Sequence, residues 1–255
     1  PPSYRFDISI EADLIEEVGR VYGYNRLPSV PLTGAMTISP LNEVQHSVER
    51  FSDVLAARGY QEAVTYSFVE PELQQQVNPT MAPVSLANPI SSEMADMRTS
   101  LWPGLITAAR YNLNRQKARV RLFEHGLRFW SNNDRIKQDT VIGGIVCGSR
   151  LPEHWDGKAV ASDFYDLKQD VEALLQYAGC LGSLTFVRGE HAALHPGQTA
   201  SIRDGERTVG WLGRIHPQLA ASCDLDANTC LFELEYAAIE RGQLATFRPI
   251  SRYPS

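Results

Sequence analysis

Two neighbouring stretches decide the fold class, Val120-Arg-Leu-Phe-Glu-His-Gly-Leu-Arg-Phe-Trp130 and Thr140-Val-Ile-Gly-Gly-Ile-Val-Cys147. Both are rich in β-branched and aromatic residues, which predicts two strands. The second stretch is almost entirely apolar, so we expect it to lie centrally in a sheet. Few strands along the chain are joined by the helical crossovers that a parallel pair requires. The sequence therefore predicts an α+β fold with an antiparallel sheet flanked by helices.

Further helices and strands are predicted on both sides of this pair from the spacing of apolar residues and from turn residues. They are helices at about 42–58 and 101–114, a helix from Ser162 or Asp163 onward, a strand at about 61–68, a hairpin over 200–211 that turns at Asp204-Gly205, and a strand over 231–236. At 27–34, prolines and a glycine interrupt the apolar spacing that is typical of helices and of strands. This predicts a joint between a small N-terminal appendage and the larger unit.

The N-terminal segment Arg5-Phe-Asp-Ile-Ser-Ile-Glu-Ala-Asp-Leu-Ile-Glu-Glu-Val-Gly-Arg-Val-Tyr-Gly-Tyr24 combines an apolar pattern with acidic residues. Alternating Phe6, Ile8 and Ile10 predict a short strand with one buried face. The next residues predict a helix whose buried stripe consists of Leu14, Ile15, Val18, Val21 and Tyr22. The appendage is therefore expected to be a strand followed by a helix.

The carboxylates of this segment that can converge are Asp7, Asp13, Glu16 and Glu17. The last three are spaced i, i+3 and i+4 and share a helix face, while Asp7 lies on the polar side of the predicted strand. Carboxylate oxygens suit magnesium, which often uses one or two carboxylates and keeps several waters. The same spacing is typical of acidic residues that a helix N-terminus stabilises and that face water. Spacing alone leaves both interpretations open.

The overall charge argues against a broad surface for nucleic acid, because the formal net charge is −6 and the pI is near 5.6. A local exception lies between Asp96 and Glu124, where there is no acidic residue. The basic residues of this interval are Arg98, Arg110, Arg115, Lys117, Arg119 and Arg121. They could contact a phosphate or an acidic partner, or they could form a solvated helix end and loop.

Composition indicates a large globular protein, with 255 residues, 43% hydrophobic and 21% charged. No apolar run approaches the roughly 20 residues that span a bilayer, and the chain does not open with a signal peptide. We therefore expect a cytoplasmic protein with no membrane partner. The four cysteines show no C-x-x-C spacing, so we expect reduced, packed thiols.

Several long runs resemble, in family order, the β subunits of bacterial phenylalanyl-tRNA synthetases. They are the N-terminal segment quoted above and the runs NPISSEMADMRTSLWPGL at 88–105, RVRLFEHGLRF at 119–129, DFYDLKQDVEALL at 163–175, LHPGQTASI at 194–202 and GWLGRIHPQL at 210–219. Ordered runs of this length are more specific than a short motif. The resemblance covers essentially the whole chain, and it implies a core like that of class II aminoacyl-tRNA synthetases.

The resemblance also implies a division of the chain and an assembly. The expected parts are the end of a preceding module at 1–28, a linker at 29–40, a catalytic-like core at 41–247 and the start of a truncated C-terminal domain at 248–255, all within a longer polypeptide. The helix at 42–58 and the strand after it resemble motif 1, which builds the subunit interface in class II enzymes. An (αβ)2 assembly is implied, in which the α subunit uses ATP to charge tRNA with phenylalanine. tRNA is expected to bind the full-length complex.

For the acidic segment, the resemblance implies a defined role. Asp7, Asp13, Glu16 and Glu17 match, position by position, the family's acidic set, which holds magnesium in a site shared with the α subunit. The same residues would then form a junction between subunits and not a reaction centre.

The chain is expected to have no catalytic residues and no adenylation site of its own. Adenylation requires cationic groups on the ATP phosphates. Active class II members place one arginine in an R-x-E strand, called motif 2, and another at a G-x-G-x-x-R helix start, called motif 3. The first counterpart here is Arg121-Leu-Phe-Glu124, whose offset predicts the two side chains on opposite faces of a strand. The second, Gly210-Trp-Leu-Gly213-Arg214, has different spacing and is followed by Ile-His-Pro, where we expect no helix.

Two other classes of function remain open from the residues. One is a self-sufficient magnesium-dependent phosphotransferase or hydrolase that uses the same carboxylates as a catalytic metal site. The other is an autonomous RNA-binding module at about 110–121. The pairs His195-Pro196 and His216-Pro217 lack a recognisable nucleophile nearby, so we expect structural turns there, and a surface loop at His154.

Overall fold

The computed structural model of the chain describes residues 1–34, 45–133, 135–240 and 242. The chain divides into two compact units, Pro1–Leu41 and Asn42–Ser255. The predicted four-part division is finer than this, and its last part, 248–255, lies outside the described residues.

The first unit contains one α-helix, α1 (Glu11–Tyr22), and a 3-10 turn at Tyr24–Arg26. The predicted helix is confirmed, but the predicted strand over Phe6–Ile10 is wrong, because this stretch forms turns and Phe6 is 93% exposed. A single strand has no partner for its backbone groups. The predicted burial of the α1 stripe is also wrong, since no α1 residue is buried. A unit this small has little apolar surface with which to cover a helix face.

The second unit contains the remaining elements. In chain order they are α2 (Val48–Ala57), β1 (Gln61–Glu62), β2 (Phe68–Val69), α3 (Pro71–Val77), β3 (Val84–Ser85), β4 (Asp96–Met97), α4 (Trp102–Leu113), β5 (Arg119–Asn132), β6 (Arg135–Gly148), α5 (Phe164–Tyr177), β7 (Leu184–Arg188), β8 (Leu194–Asp204), β9 (Arg207–Ile215), α6 (Pro217–Ser222), β10 (Cys230–Glu235) and α7 (Ala237–Glu240), with a 3-10 turn at Ser92–Met94.

A seven-stranded sheet forms the body of this unit, in the order β1-β5-β6-β10-β9-β8-β7. Each described strand pair in it is antiparallel except β1 with β5. The prediction of an antiparallel sheet flanked by helices is therefore confirmed. β6 lies between β5 and β10, next to the middle strand, as its apolar sequence indicated. A separate three-stranded sheet has the order β2-β4-β3.

Hydrophobic residues cover both faces of the large sheet. On one face Phe51 of α2 and Leu167 of α5 pack in a cluster with Phe123 of β5. On the other face Trp102 of α4 belongs to a second cluster with Leu122, the neighbour of Phe123. Successive strand residues point to opposite faces, so β5 contributes to both clusters.

Most predicted elements of this unit are present. The helix at 101–114 and the strand pair are confirmed, and α5 begins where Asp163 caps it, accepting hydrogen bonds from the backbone N–H groups of Tyr165 (2.8 Å) and Asp166 (3.0 Å). The hairpin turns at Gly205, whose φ is +57°. The start of the helix predicted at 42–58 lies partly outside the described residues, and α2 begins at Val48.

The single strand predicted at 61–68 is wrong. Only Gln61 and Glu62 pair with β5, and Phe68 already belongs to the small sheet. Between them, the Glu124 carboxylate accepts hydrogen bonds from the backbone N–H (3.3 Å) and the hydroxyl (2.7 Å) of Thr65, so a side chain binds this segment in place of a neighbouring strand. None of the helices in the described ranges has the length and apolar character needed to span a bilayer.

Candidate functional site

The acidic segment is built around the first turn of α1. Asp13 accepts hydrogen bonds through Oδ2 from the backbone N–H groups of Ser9 (2.7 Å) and Ile10 (2.9 Å). These bonds hold the pKa of Asp13 below its usual range. The carboxylate therefore satisfies helix-end N–H groups, as expected for an acidic residue at this position.

Asp7 and Glu17 face each other across one guanidinium group. Arg5 Nη2 lies 2.8 Å from Asp7 Oδ2 and 2.7 Å from Glu17 Oε1. Arg20 binds the other oxygen of Glu17 at 2.6 Å. The hydrogen bonds from Arg5 lower the pKa of both carboxyl groups. The loop before α1 thus brings together two of the predicted carboxylates, around a cation that the chain itself supplies.

The predicted set of four is not gathered at one point. Glu16 is exposed, and Asp13 is bound to backbone instead of facing Arg5. Throughout the described residues, no group of three or more His, Cys, Asp or Glu side chains lies close enough together to hold a metal. The oxygen donors suit magnesium chemically, but this arrangement does not form a complete site within the chain. The magnesium assignment stays a prediction.

The motif-2-like residues lie on opposite faces of β5, as the offset predicted. Arg121 donates from Nη2 to Asp170 of α5, and its guanidinium lies 4.4 Å from the centroid of the Tyr60 ring. Glu124 faces the other side, where Oε1 accepts from Arg98 Nη1 at 2.6 Å. All four ionic side chains are buried. The two arginines are therefore bonded inside the fold.

This arrangement divides the basic interval. Arg98 and Arg121 are buried ion-pair partners and cannot meet a phosphate at the surface. Arg115 lies over the Tyr111 ring, with its guanidinium carbon 3.3 Å from the centroid. Only part of the interval is left for an external ligand, which argues against a continuous RNA-binding surface over 110–121.

The motif-3-like region requires a correction. Arg214 donates from Nε to the carbonyl of Ala227. A helix does follow, because α6 begins at Pro217, so the prediction of no helix there was wrong. Proline suits the first helical position, and His216 caps the helix by accepting at Nδ1 from the backbone N–H of Gln218 at 3.2 Å. His195 likewise accepts at Nδ1 from the N–H of Gly197 (3.0 Å), where the pairing of β8 with β9 is irregular. Both histidines therefore have structural roles, but the predicted turns are a stretch of β8 and the start of α6.

The four cysteines are free and buried, as predicted. Burial raises the pKa of the Cys147 thiol to about 11 and that of Cys230 to about 12, which keeps both protonated and unreactive.

One polar cluster was missed by reasoning from the sequence. Glu233 on β10 is buried and accepts hydrogen bonds from the Ser100 hydroxyl (2.8 Å) and the Leu101 backbone N–H (2.7 Å). Burial raises the pKa of Glu233, and the nearby charge of Arg128 opposes this rise. A glutamate flanked by Phe232 and Leu234 in a predicted strand was the available signal. It did not indicate which residues would bind it.

Two family models match the chain. The phenylalanyl-tRNA synthetase β-chain CLM domain matches residues 27–236, and the tRNA synthetase B5 domain matches residues 1–24. The second match covers the acidic segment, and the first covers nearly all of the described part of the larger unit.

Similar curated proteins carry one name. The phenylalanine–tRNA ligase β subunit of Pseudomonas fluorescens strain Pf-5 is 51% identical over 253 residues, which is 99% of this chain and 32% of that protein. The β subunit of Nitrosococcus oceani is 46% identical over 255 residues, again 32% of its length. The chain therefore spans about a third of the relatives it matches.

Among solved structures, pyrrolysyl-tRNA synthetase of Desulfitobacterium hafniense is similar, with a TM-score of 0.57 and 14% identity over 75% of this chain and 66% of that one. At this identity the likeness concerns the fold, which is that of an aminoacyl-tRNA synthetase core. With one model matching most of its length and relatives about half identical to it, the chain belongs to the family of phenylalanyl-tRNA synthetase β chains.

Proposed function

We propose that this chain is a non-catalytic core of a phenylalanine–tRNA ligase β subunit, which supports ATP-dependent charging of tRNA(Phe) by the α subunit. The observation that carries the proposal is the internal bonding of the arginines near the class II motif positions. Arg121 is bound by Asp170 and Arg98 by Glu124, while Arg214 binds a backbone carbonyl. A catalytic site would instead leave such cations free for the ATP phosphates.

The coverage of the sheet supports the same conclusion. α2 and α5 cover one face, and α4 and α6 cover the other. Trp102 of α4 is 1% exposed, and its Nε1 donates to the carbonyl of Phe232 on β10 at 2.9 Å. A sheet whose two faces are both occupied by its own side chains has little room for a nucleotide cleft.

Assembly with an α subunit in an (αβ)2 complex is part of the proposal, as are a cytoplasmic location and tRNA binding by the full-length complex. Val64 and Tyr66 follow the edge strand β1 and are 91% and 69% exposed. Apolar side chains beside an unpaired sheet edge are typical of a surface that another polypeptide covers. These exposed side chains support our proposal of a subunit interface at α2 and β1, the motif-1-like elements.

A magnesium ion shared with the α subunit is the last part of the proposal. Asp7, Asp13, Glu16 and Glu17 would supply oxygen ligands, and the partner or water would supply the rest. Asp7 and Glu17 already converge on a cationic group, Arg5. When bound, the ion would neutralise the negative charge of these carboxylates at the subunit contact. Arg5 would have to release both carboxylates for it.

The proposal is tested by ATP–pyrophosphate exchange with full-length β subunit, α subunit and their complex. We expect exchange by the complex and none by the β subunit alone. Arg214→Gln in the complex should leave the rate within about twofold, whereas removing a phosphate-binding cation would cost about a hundredfold or more. Turnover by the β subunit alone that is lost in Asp13→Ala would contradict the proposal and favour a self-sufficient metal-dependent phosphotransferase or hydrolase.

The magnesium part has its own test. Arg5→Gln frees Asp7 and releases Glu17 from one of its two arginines, while Arg20 stays bound to it. Calorimetry should then show magnesium binding to the full-length complex tightened by a few-fold, the scale of an exposed ion pair. Arg26→Gln is the matched control, because Arg26 lies over the Tyr22 ring and forms no ion pair with a described carboxylate. Unchanged or weaker binding in Arg5→Gln would show that Arg5 does not compete with the ion.

A further inference from the structure

An open cavity of about 980 Å³ lies where β5 begins and β6 ends, and it is bordered by the loop at 149–161. Its volume is within the range of small-molecule sites. The charged and titratable side chains that line it are Arg119, Arg150, Glu153, His154, Asp156 and Lys158. The cavity is distinct from the acidic segment and from the motif-like arginines.

Arg119 is the unusual member of this lining. Its Nε donates to the carbonyl of Ser149 at 3.2 Å, but no carboxylate in the described ranges forms an ion pair with its guanidinium. The nearest candidate, Asp170, is fully engaged: Arg58 Nε lies at 2.5 Å, the Tyr60 hydroxyl at 2.8 Å, and Arg121 binds as well.

The local charge is therefore unbalanced. Arg58 and Arg121 pair with the carboxylate of Asp170, and Arg119 lies close enough to feel the charges of Arg121 and Asp170. Burial and the nearby charge of Arg121 lower the pKa of Arg119, which means that its cationic form lacks compensation there. An anion that enters the cavity would therefore stabilise the guanidinium of Arg119, which lines it.

We propose that this cavity is a binding site for a phosphate group, with Arg119 as its main ligand and Arg150 and Lys158 at its rim. Guanidinium groups match phosphate oxygens in a bidentate geometry, and they bind phosphate with charge-assisted hydrogen bonds. Arg150 already pairs with Asp166 at 3.0 Å but is 59% exposed at its side chain, so it can reorient toward a ligand. Two sources offer this chemistry, a free phosphate compound and an RNA backbone, and the experiment below distinguishes them.

Glu153 and Asp156 also line the cavity, and they are exposed. Neither forms an ion pair with a described cation, so neither neutralises Arg119. They would repel a phosphate group and weaken its binding. The proposal therefore has a second, independent test, because replacing one of these carboxylates by a neutral side chain should strengthen phosphate binding.

The experiment uses the full-length β subunit in complex with its α subunit. Calorimetry with inorganic phosphate and with pyrophosphate forms one arm, and fluorescence anisotropy with a 12-nucleotide single-stranded RNA over a salt series forms the other. Arg119→Gln should weaken binding about tenfold in one arm, which identifies the source of the phosphate. Arg115→Gln, a basic residue of the same interval that stacks on Tyr111, is the control and should change neither arm.

Glu153→Gln should tighten the same arm by about two- to fivefold. It keeps the test valid if Arg119→Gln does not fold, since Glu153 lies in an exposed loop. The proposal is overturned if neither arm responds to Arg119→Gln in folded protein, if Arg115→Gln has an equal effect, or if Glu153→Gln leaves both arms unchanged. None of these outcomes depends on whether the chain carries an adenylation site, so the proposed function is tested separately.

Discussion

Arg98 and Glu124 form the most deeply buried ion pair among the described residues that bears on function. Their side chains are 4% and 3% exposed, and Arg98 Nε also donates to the carbonyl of Leu127 at 2.8 Å. Gly126 makes room for this arrangement, because a side chain there would lie within 2.3 Å of the Arg98 guanidinium. Glu124, the glutamate of the motif-2-like strand, therefore lies in the interior of the fold.

The first prediction concerns this pair. Glu124→Gln leaves the buried charge of Arg98 without a counter-ion, which should lower the free energy of unfolding by about 3–5 kcal/mol. Urea denaturation at pH 7 measures it. Glu172→Gln is the control, since its pair with Lys168 is partly exposed and should cost less than about 1 kcal/mol. Equal decreases in the free energy of unfolding in the two variants would contradict the prediction that the buried pair contributes more than the exposed one.

At the scale of elements, the β5–β6 hairpin organises the core. The two strands pair without interruption from Arg119 opposite Gly148 to Asn132 opposite Arg135. Gly148 has a φ of +86° and lies against the Ala118 carbonyl, so the end of β6 admits no side chain. The hairpin therefore ends at the loop that borders the proposed phosphate cavity. Helix α5 begins directly after this loop.

The second prediction concerns the start of α5. Asp163→Ala removes the cap of this helix and should lower the free energy of unfolding by about 1 kcal/mol. The thermal transition followed by circular dichroism measures it, with Glu206→Ala in the exposed β8–β9 turn as the control. A loss no larger than that of the control would mean that packing of α5 on β9 and β10 fixes its start without the cap.

At the scale of the whole molecule, packing against the sheet makes the free energy of unfolding depend on pH through a partly buried histidine. His191 lies between Trp102 and Trp211, with ring centroids 5.0 and 5.2 Å away. Burial lowers the pKa of His191 to about 4 from its ordinary value of 6.5. The folded protein therefore holds this imidazole neutral at pH values where the unfolded chain protonates it.

The third prediction follows from this difference. Because the unfolded chain binds one more proton at His191, the free energy of unfolding should fall as the pH drops from about 6.5 to about 4. At pH 4.5, His191 should account for about 2–3 kcal/mol of this decrease. His191→Gln should remove this contribution of His191 to the decrease in the free energy of unfolding. Urea midpoints of both proteins at pH 7 and pH 4.5 measure it, since carboxyl groups with shifted pKa values contribute equally to both. Equal decreases in the urea midpoint of the two proteins between pH 7 and pH 4.5 would contradict the assignment of this effect to His191.

Local patterns in the sequence determined the type of most elements. Apolar spacing identified α1, α4 and α5, the aspartate before Phe164 marked the start of α5, and Gly205 marked the hairpin turn. The three-residue offset between Arg121 and Glu124 was sufficient to put them on opposite faces, since a strand alternates strictly. These features depend only on neighbouring residues and backbone geometry.

The tertiary structure decided which groups meet. Glu233 binds Ser100, 133 residues away, and Arg98 binds Glu124, 26 residues away, and no periodicity indicates such partners. It also decided that the stripe of α1 is exposed, that the motif-like arginines are bonded internally, and that Arg119 is left beside a carboxylate already engaged by others. The physical reason is that burial and the pairing of charges are set by contacts between distant segments, which only the folded chain brings together.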